Sequence, residues 1–297
     1  MTVELDNIDK VFFPDSGLTK GDLADYYRRI APMMLPHAKD RPVTLNRYPD
    51  GIDGVHFIQK AVEDHYPAWL DRVTVAKEDG ELVQPLVNSA DALVYLVGQG
   101  AIAFHVTLSR YDRPEHPDRL IFDLDPPDHG GDVDDFAPVV AAARAVRDAL
   151  EAVDLTSFVM TSGSSGLHVT VPLDRSADFD TVREFAQAIA ERVADAHPDE
   201  FTTAHAKNKR SGRLYLDTRR NAVNQTAVAP YSVRPKPGAP IATPLDWDEL
   251  SDRDIGPRRY HVGNIFRRLA QRDCPWADIA RRGQSASRAL ERLKARA

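Results

Sequence analysis

Leu120-Ile121-Phe122-Asp123-Leu124-Asp125-Pro126-Pro127 closes an apolar run with two carboxylates one residue apart. The run from Leu120 to Phe122 has the composition of a buried strand, and two successive prolines stop it because neither can donate to a ladder. Side chains alternate faces along an extended chain, so Asp123 and Asp125 point the same way. Two acids side by side at a strand end repel each other unless a cation lies between them. Divalent ions that prefer hard oxygen ligands, Mg²⁺ or Mn²⁺, suit that position. The plainer alternative is a pair of solvated aspartates at a strand-to-loop junction.

Working outward, strands and helices alternate on both sides of this run. Thr19 reads as the N-cap of an amphipathic helix over residues 20–34, with Leu23, Tyr26, Tyr27 and Ile30 on one face. Residues 41–48 and 55–58 read as strands around the turn Pro49-Asp50-Gly51. A strand over 82–87, a helix over 90–97 and a strand over 102–106 follow. Beyond the paired aspartates, residues 132–152 read as a helix whose Asp-rich first turn complements the helix dipole. Strands at 156–160 and 167–171 flank Thr161-Ser162-Gly163-Ser164-Ser165-Gly166, then come a helix over 178–196 and a strand over 213–216 ending at Asp217. Residues 221–244 are loop-rich, and from Ser251 the pattern is mostly helical. The expected organisation is α/β (α+β): one domain over 1–272, made of two interleaved subdomains, then a basic helical tail over 273–297 carrying Arg281, Arg282, Arg288, Arg292, Lys294 and Arg296.

Composition narrows the class. A chain of 297 residues can bury a sizeable core, and its single cysteine, Cys274, excludes an internal disulfide. No Cys/His cluster suggests zinc. The polar N-terminus has no signal-like apolar core, and no apolar run reaches the roughly 18 residues of a membrane span, so a cytoplasmic protein is expected. A net charge of −7 argues against a general nucleic-acid coat. The charge is nonetheless segregated: residues 123–135 hold six aspartates and no base, whereas 207–236 hold eight bases against Asp217 alone. That asymmetry suits a metal site beside a polyanion-binding surface, or ordinary surface variation.

Three further features carry chemistry. Small residues in the Ser162–Gly166 loop let backbone N–H groups and hydroxyls converge on an anion, unless the loop is only a hairpin. His168, just beyond it, suits either a phosphate oxygen or a hydrogen-bonded core position. Asp217 either pairs with Arg213 or Arg219, or is the third carboxylate of a two-metal site, where several hard oxygens surround ions about 3.5–4 Å apart.

With these residues in place, the chain resembles the polymerase domain of bacterial DNA ligase D and its stand-alone relatives, within the archaeo-eukaryotic primase superfamily. The resemblance runs from about Asp6 to Asn264. It is carried by Asp9-Lys10-Val11-Phe12-Phe13-Pro14, Arg41-Pro42-Val43, Pro49-Asp50-Gly51, Phe57-Ile58-Gln59-Lys60, Phe104-His105, Phe122-Asp123-Leu124-Asp125-Pro126, Thr161-Ser162-Gly163, Gly166-Leu167-His168, Leu216-Asp217 and the block from Gln225 to Arg234.

The resemblance implies an RRM-like catalytic sheet with a smaller N-terminal α/β subdomain. It implies a template-dependent nucleotidyltransferase that fills short gaps during end joining or excision repair and favours ribonucleotides. Asp123, Asp125 and Asp217 would hold two ions, Mn²⁺ or Mg²⁺. His105, Ser162, Ser164, Ser165, Gly166, His168 and Arg234 would surround the NTP or dNTP. Phe57 would stack near the templating base, Lys10 would take the 5′-phosphate of gapped or broken DNA, and Arg47, Lys207 and Arg210 would lie along DNA. Ku and a DNA ligase would act in trans, and no membrane is involved.

Two departures stand out: Ser165 occupies a position where the family usually has Lys, and Asn46 one where a second Lys is frequent, with Arg47 beside it. Without the resemblance, Phe57 and His105 also fit core positions and Lys10 a solvated one. A metal-dependent phosphohydrolase with Asp123 as nucleophile and Asp125 as acid, and a non-catalytic DNA-end-binding module, are the alternatives.

Overall fold

The structure is a computed structural model that describes residues 3–77, 80–127 and 135–296. Its contacts divide into two compact units, each assembled from three stretches of chain.

One unit comprises Met1–Asp112, Thr226–Thr243 and Tyr260–Gln271. Its four-stranded antiparallel sheet has the order Thr226–Val228, Ala101–Thr107, Val43–Arg47, Phe57–Gln59. The helix Lys20–Ala38 starts where the sequence places it. Thr19 accepts from the Asp22 backbone N–H while the Asp22 carboxylate accepts from Thr19, a reciprocal cap. The helix runs past Pro32 and Pro36 to Ala38, four residues beyond the expected end, because its last turn buries His37 and Ala38 completely enough to tolerate the missing N–H groups. The hairpin Arg72–Lys77 with Gly80–Pro85 corrects the single strand expected at 82–87, and Thr226–Val228 is a strand within the stretch expected to be loop. Thr226–Val228 is only three residues, too short to show an alternation, and Arg72–Lys77 is largely exposed, with little apolar burial to mark it.

The other unit comprises Arg113–Gln225, Pro244–Arg259 and Arg272–Ala297. Its six-stranded sheet has the order Phe201–Thr202, Leu214–Asp217, Arg119–Asp125, Leu167–Pro172, Phe158–Thr161, Pro244–Leu245. Within it the chain runs strand (Arg119–Asp125), helix (Ala137–Glu151), strand (Phe158–Thr161), strand (Leu167–Pro172), helix (Phe179–Ala196), strand (Leu214–Asp217). The last strand lies beside the first, and the first beside the third: the RRM-like, split-βαβ arrangement. Register puts Leu124 opposite Leu167 and Leu216, and Phe122 opposite Val169, so one face is apolar, and both helices pack on this sheet. The other face carries the acids.

The first helix of this unit begins at Ala137, not 132, and has no acid in its first turn; Asp135 instead accepts from the Ala137 N–H. Residues 132–134 of the expected turn lie outside the described residues. Beyond Ser251 the described residues are mostly irregular, with helices at Ile265–Leu269 and Ala286–Ala295 and a 3₁₀ turn at Ile279–Arg281. Its many arginines have high helix propensity, but Pro257, Pro275 and Gly283 interrupt any long run. The helix Ala286–Ala295 buries Ala286, Ala289, Leu290 and Leu293 and packs against Phe179–Ala196, with Lys294 bonded to Glu184 at 2.8 Å.

Candidate active site

Three strands bring the acids together. Asp123 sits opposite His168 on one side and Asp217 on the other, so all three share a face. Asp125, one pleat further, sits opposite Tyr215 on that same face. Asp123 and Asp217 are held by named partners. His168 Nε2 lies 3.2 Å from Asp123 Oδ1, and Arg220 Nε 3.6 Å from Asp123 Oδ2. Asp217 Oδ1 accepts from the Arg219 backbone N–H at 2.8 Å and from the Tyr215 hydroxyl at 3.2 Å. Asp217 thus pairs with neither the Arg213 nor the Arg219 guanidinium. The Arg213 guanidinium is spent on the carbonyls of Arg210, Pro198 and Lys209.

The electrostatics of this row explain what it suits. Burial, then the Asp123 and Asp217 charges, push the Asp125 carboxyl up to about 7; His168 and Arg220 offset this only in part. Burial and the neighbouring Asp217 also push the Tyr215 hydroxyl up to about 12, which keeps it a donor. The oxygens do not form a closed cage: among the described residues no three His, Cys, Asp or Glu side chains converge as a metal-binding group. The reason is visible in the partners, since Asp123 turns to His168 and Arg220, and Asp217 to Tyr215. Carboxylates on one partly desolvated face, two of them raising the proton affinity of Asp125, are a donor set for a hard divalent cation.

Asn221 is a residue that motif reading passed over. Its side-chain oxygen accepts from the Ile121 N–H at 2.9 Å and its amide donates to the Ile121 carbonyl at 2.8 Å. A fully buried side chain thereby continues the ladder beyond Asp217, fixing the loop that delivers Arg220 to Asp123. The only signal in the sequence was a lone Asn four residues after an acid.

The Ser162–Gly166 loop departs from a simple cradle. The Ser162 hydroxyl accepts from the backbone N–H groups of Ser164 at 3.2 Å and Gly166 at 3.1 Å, and Gly163 takes φ +67°. Two of the amides expected to face an anion are therefore turned onto the loop's own hydroxyl. Gly166 is required by space: a Cβ there would meet the Leu124 carbonyl oxygen at 2.0 Å. His168 is buried, and its Nδ1 has no hydrogen-bond partner among the described residues.

Arg210 stacks on the Tyr215 ring, 4.1 Å from its centroid, and donates to the carbonyls of Ala204 and His205; Lys207 begins the exposed 3₁₀ turn beside it. In the first-described unit, Phe57 is exposed rather than core, with the Arg47 guanidinium 5.0 Å from its ring centroid. Arg47 is mostly buried, bonded to the Gln99 carbonyl at 2.7 Å and to Gln59 at 2.5 Å, so it supports Phe57 from behind. Lys10 is ion-paired with Asp50. His105 is half-buried between Thr44 and Val228 of the neighbouring strands, and the Arg234 backbone N–H is bonded to the Pro240 carbonyl at 2.7 Å.

A split-βαβ sheet that ends in paired acids and shares their face with a third acid is the frame of a metal-dependent nucleotidyltransferase. The comparisons specify it further. The sequence model of the LigD primase-polymerase domain matches residues 19–276, and the chain belongs to that family. It is 36% identical over 277 residues to the multifunctional non-homologous end joining DNA repair protein LigD of Mycobacterium tuberculosis, covering 91% of this chain and 36% of that protein. It is 32% identical to LigD of Pseudomonas aeruginosa, covering 98% and 34%, and 30% identical to the bifunctional LigD of Bacillus subtilis, covering 95% and 45%. The chain therefore spans less than half the length of these relatives. Among solved structures, the polymerase domain of Mycobacterium tuberculosis ligase D in complex with DNA matches with a TM-score of 0.89 at 34% identity, over 95% of this chain and 99% of that one.

Proposed function

We propose that this chain extends a primer strand across short gaps in broken DNA, adding template-matched nucleotides during end joining. The observation that carries the reading is the single acid face of Asp123, Asp125 and Asp217, whose mutual repulsion a divalent cation relieves. These three residues would hold two ions, Mn²⁺ or Mg²⁺, which when bound lower the pKa of a primer 3′-hydroxyl and neutralise charge on the triphosphate. His168 and Arg220 hold Asp123, and Tyr215 with the Arg219 amide holds Asp217, so both carboxylates are oriented before substrate arrives. Orientation set in advance costs nothing at the moment of reaction.

Phe57 offers an exposed ring to a base whatever its identity, with Arg47 behind it to fix its plane. Lys10 takes a 5′-phosphate by exchanging Asp50 for it, and His105 and Arg234 bind nucleotide. Preference for ribonucleotides is supported by the family resemblance alone.

Primer extension on a one-nucleotide gap with a 5′-phosphate tests the reading, with Mn²⁺ or Mg²⁺ and each nucleotide in ribo and deoxy form. Template-matched addition that vanishes on chelation and in Asp217→Ala supports it. Phosphate release from nucleotide without extension points to a phosphohydrolase, and gap binding without either points to a binding module.

A further inference from the structure

Tyr27, in the helix Lys20–Ala38, is fully buried, with its ring edge-on to Phe104 at 4.9 Å between centroids. Its hydroxyl donates to the Ile102 carbonyl at 2.7 Å and accepts from the Val233 N–H at 2.9 Å. Ile102 belongs to the strand that carries His105, and Val233 immediately precedes Arg234. One hydroxyl therefore joins two stretches far apart in sequence. Two more bonds tie the same stretches: the Phe104 N–H donates to the Ser232 hydroxyl and the Ala229 N–H to the Phe104 carbonyl, both at 2.9 Å. Ladder pairing of this strand with Thr226–Val228 ends opposite His105, so these bonds carry the register on through a turn where Tyr231 takes φ +67°.

Both stretches show the same pattern. Phe104 and Val233 are buried, and the residue after each, His105 or Arg234, is only half-buried. Side chains alternate along extended backbone, so fixing the buried residue aims the polar one at the opposite face. Burial pushes the Tyr27 hydroxyl up, against its bonds to Ser232 and Val233 and the nearby Arg234 charge. The hydroxyl thus stays a donor to Ile102 at neutral pH, and the guanidinium lies close enough to act on it.

We propose that Tyr27 is a positioning residue for nucleotide binding, its hydroxyl setting Arg234 against His105 before substrate arrives. This rests on the reading above in which His105 and Arg234 bind nucleotide. The competing role is that of a core tyrosine whose hydroxyl only stabilises the fold.

Tyr27→Phe removes the hydroxyl and keeps the ring. Arg234→Ala removes the group to be positioned, and the double variant asks whether the two act through one another. Trp276→Phe controls for stability alone: in the other unit it removes a buried indole bond to the Val159 carbonyl, 3.1 Å long. Ser232→Ala cuts the tie to Phe104 and is read in the same way as Tyr27→Phe, should that variant fail to fold. Each full chain is measured for nucleotide KM and kcat in gap filling, for affinity toward the gapped DNA and for melting temperature.

Tyr27→Phe should raise nucleotide KM about tenfold with kcat and gapped-DNA affinity little changed, as for loss of one well-placed hydrogen bond. Arg234→Ala should raise KM at least as far, and adding Tyr27→Phe to it should bring no more than about a twofold further rise. Trp276→Phe should lower the melting temperature and leave KM alone. An unchanged KM in Tyr27→Phe, a rise that multiplies with that of Arg234→Ala, or the same rise in Trp276→Phe overturns the proposal. If Arg234→Ala leaves KM unchanged while extension proceeds, the nucleotide-binding reading of Arg234 has failed, and positioning by Tyr27 falls with it.

Discussion

The acid row and the serine loop lie in the same sheet-based unit, and they treat their polar groups in opposite ways. In the loop, donors are matched to an acceptor close by: the Ser162 hydroxyl takes two amides and the Gly166 carbonyl takes the Ser162 N–H at 2.9 Å. In the row, three acids stand together, and burial followed by the Asp123 and Asp217 charges drives Asp125 up to about 7. A region that satisfies itself is built to hold shape. One that leaves charge unbalanced is built to receive a ligand.

The most severe way to break this contrast is to remove the charge. Asp217→Ala should lower gap filling by at least about a thousandfold while thermal unfolding stays within a few degrees, because its partners are an amide and a hydroxyl near solvent. Retained extension would remove Asp217 from the chemistry. The loop should fail in the opposite sense. Gly166→Ala places a methyl against the Leu124 carbonyl and should cost about 3 kcal/mol or more in denaturant unfolding, with loss of activity following loss of fold. A variant of ordinary stability would show that strand and loop can part without cost.

Asn221→Leu leaves the Ile121 N–H and carbonyl buried and unpaired, so about 2–3 kcal/mol should disappear in the same assay. An effect below about 0.5 kcal/mol would mean that the backbone groups find other partners.

The smallest effect is one of pH. A carboxyl whose pKa is raised on folding stabilises the fold below its unfolded value of 3.8, and that stability is lost as pH rises through about 7. Metal-free protein should therefore be about 1 kcal/mol more stable at pH 6 than at pH 8 from Asp125, and Asp125→Asn should remove that slope. Saturating Mn²⁺ should reverse the sign, since the ion binds the ionised form. A slope unchanged in Asp125→Asn would place the titration elsewhere.

Much of this was legible in the residues. The alternation in Phe122-Asp123-Leu124-Asp125 gives the face of both acids, and Thr19 with Asp22 gives the start of the long helix, because both signals are local. The pairing of Asp217 with Asp123 was not readable from spacing, since register between distant strands is set by packing and not by either sequence alone. Neither was the inward turn of the Ser164 and Gly166 amides: a Gly/Ser loop allows N–H groups to face out or in, and the Ser162 hydroxyl decides. The bonds that Arg47 makes to the Gln99 carbonyl and to Gln59 were not readable either, because both partners come from other strands or loops.

The ladder joining Asp123 to Asp217 closes a loop of roughly ninety residues, and such closures are late and slow events in folding. The acid row therefore comes into existence only when the strands Arg119–Asp125 and Leu214–Asp217 have paired. A nascent or partly unfolded chain carries all three carboxylates yet has no place to gather ions, so premature nucleotide transfer is ruled out by chain topology. By the same logic, the appearance of divalent-ion binding during refolding is a clock for the pairing of those two strands.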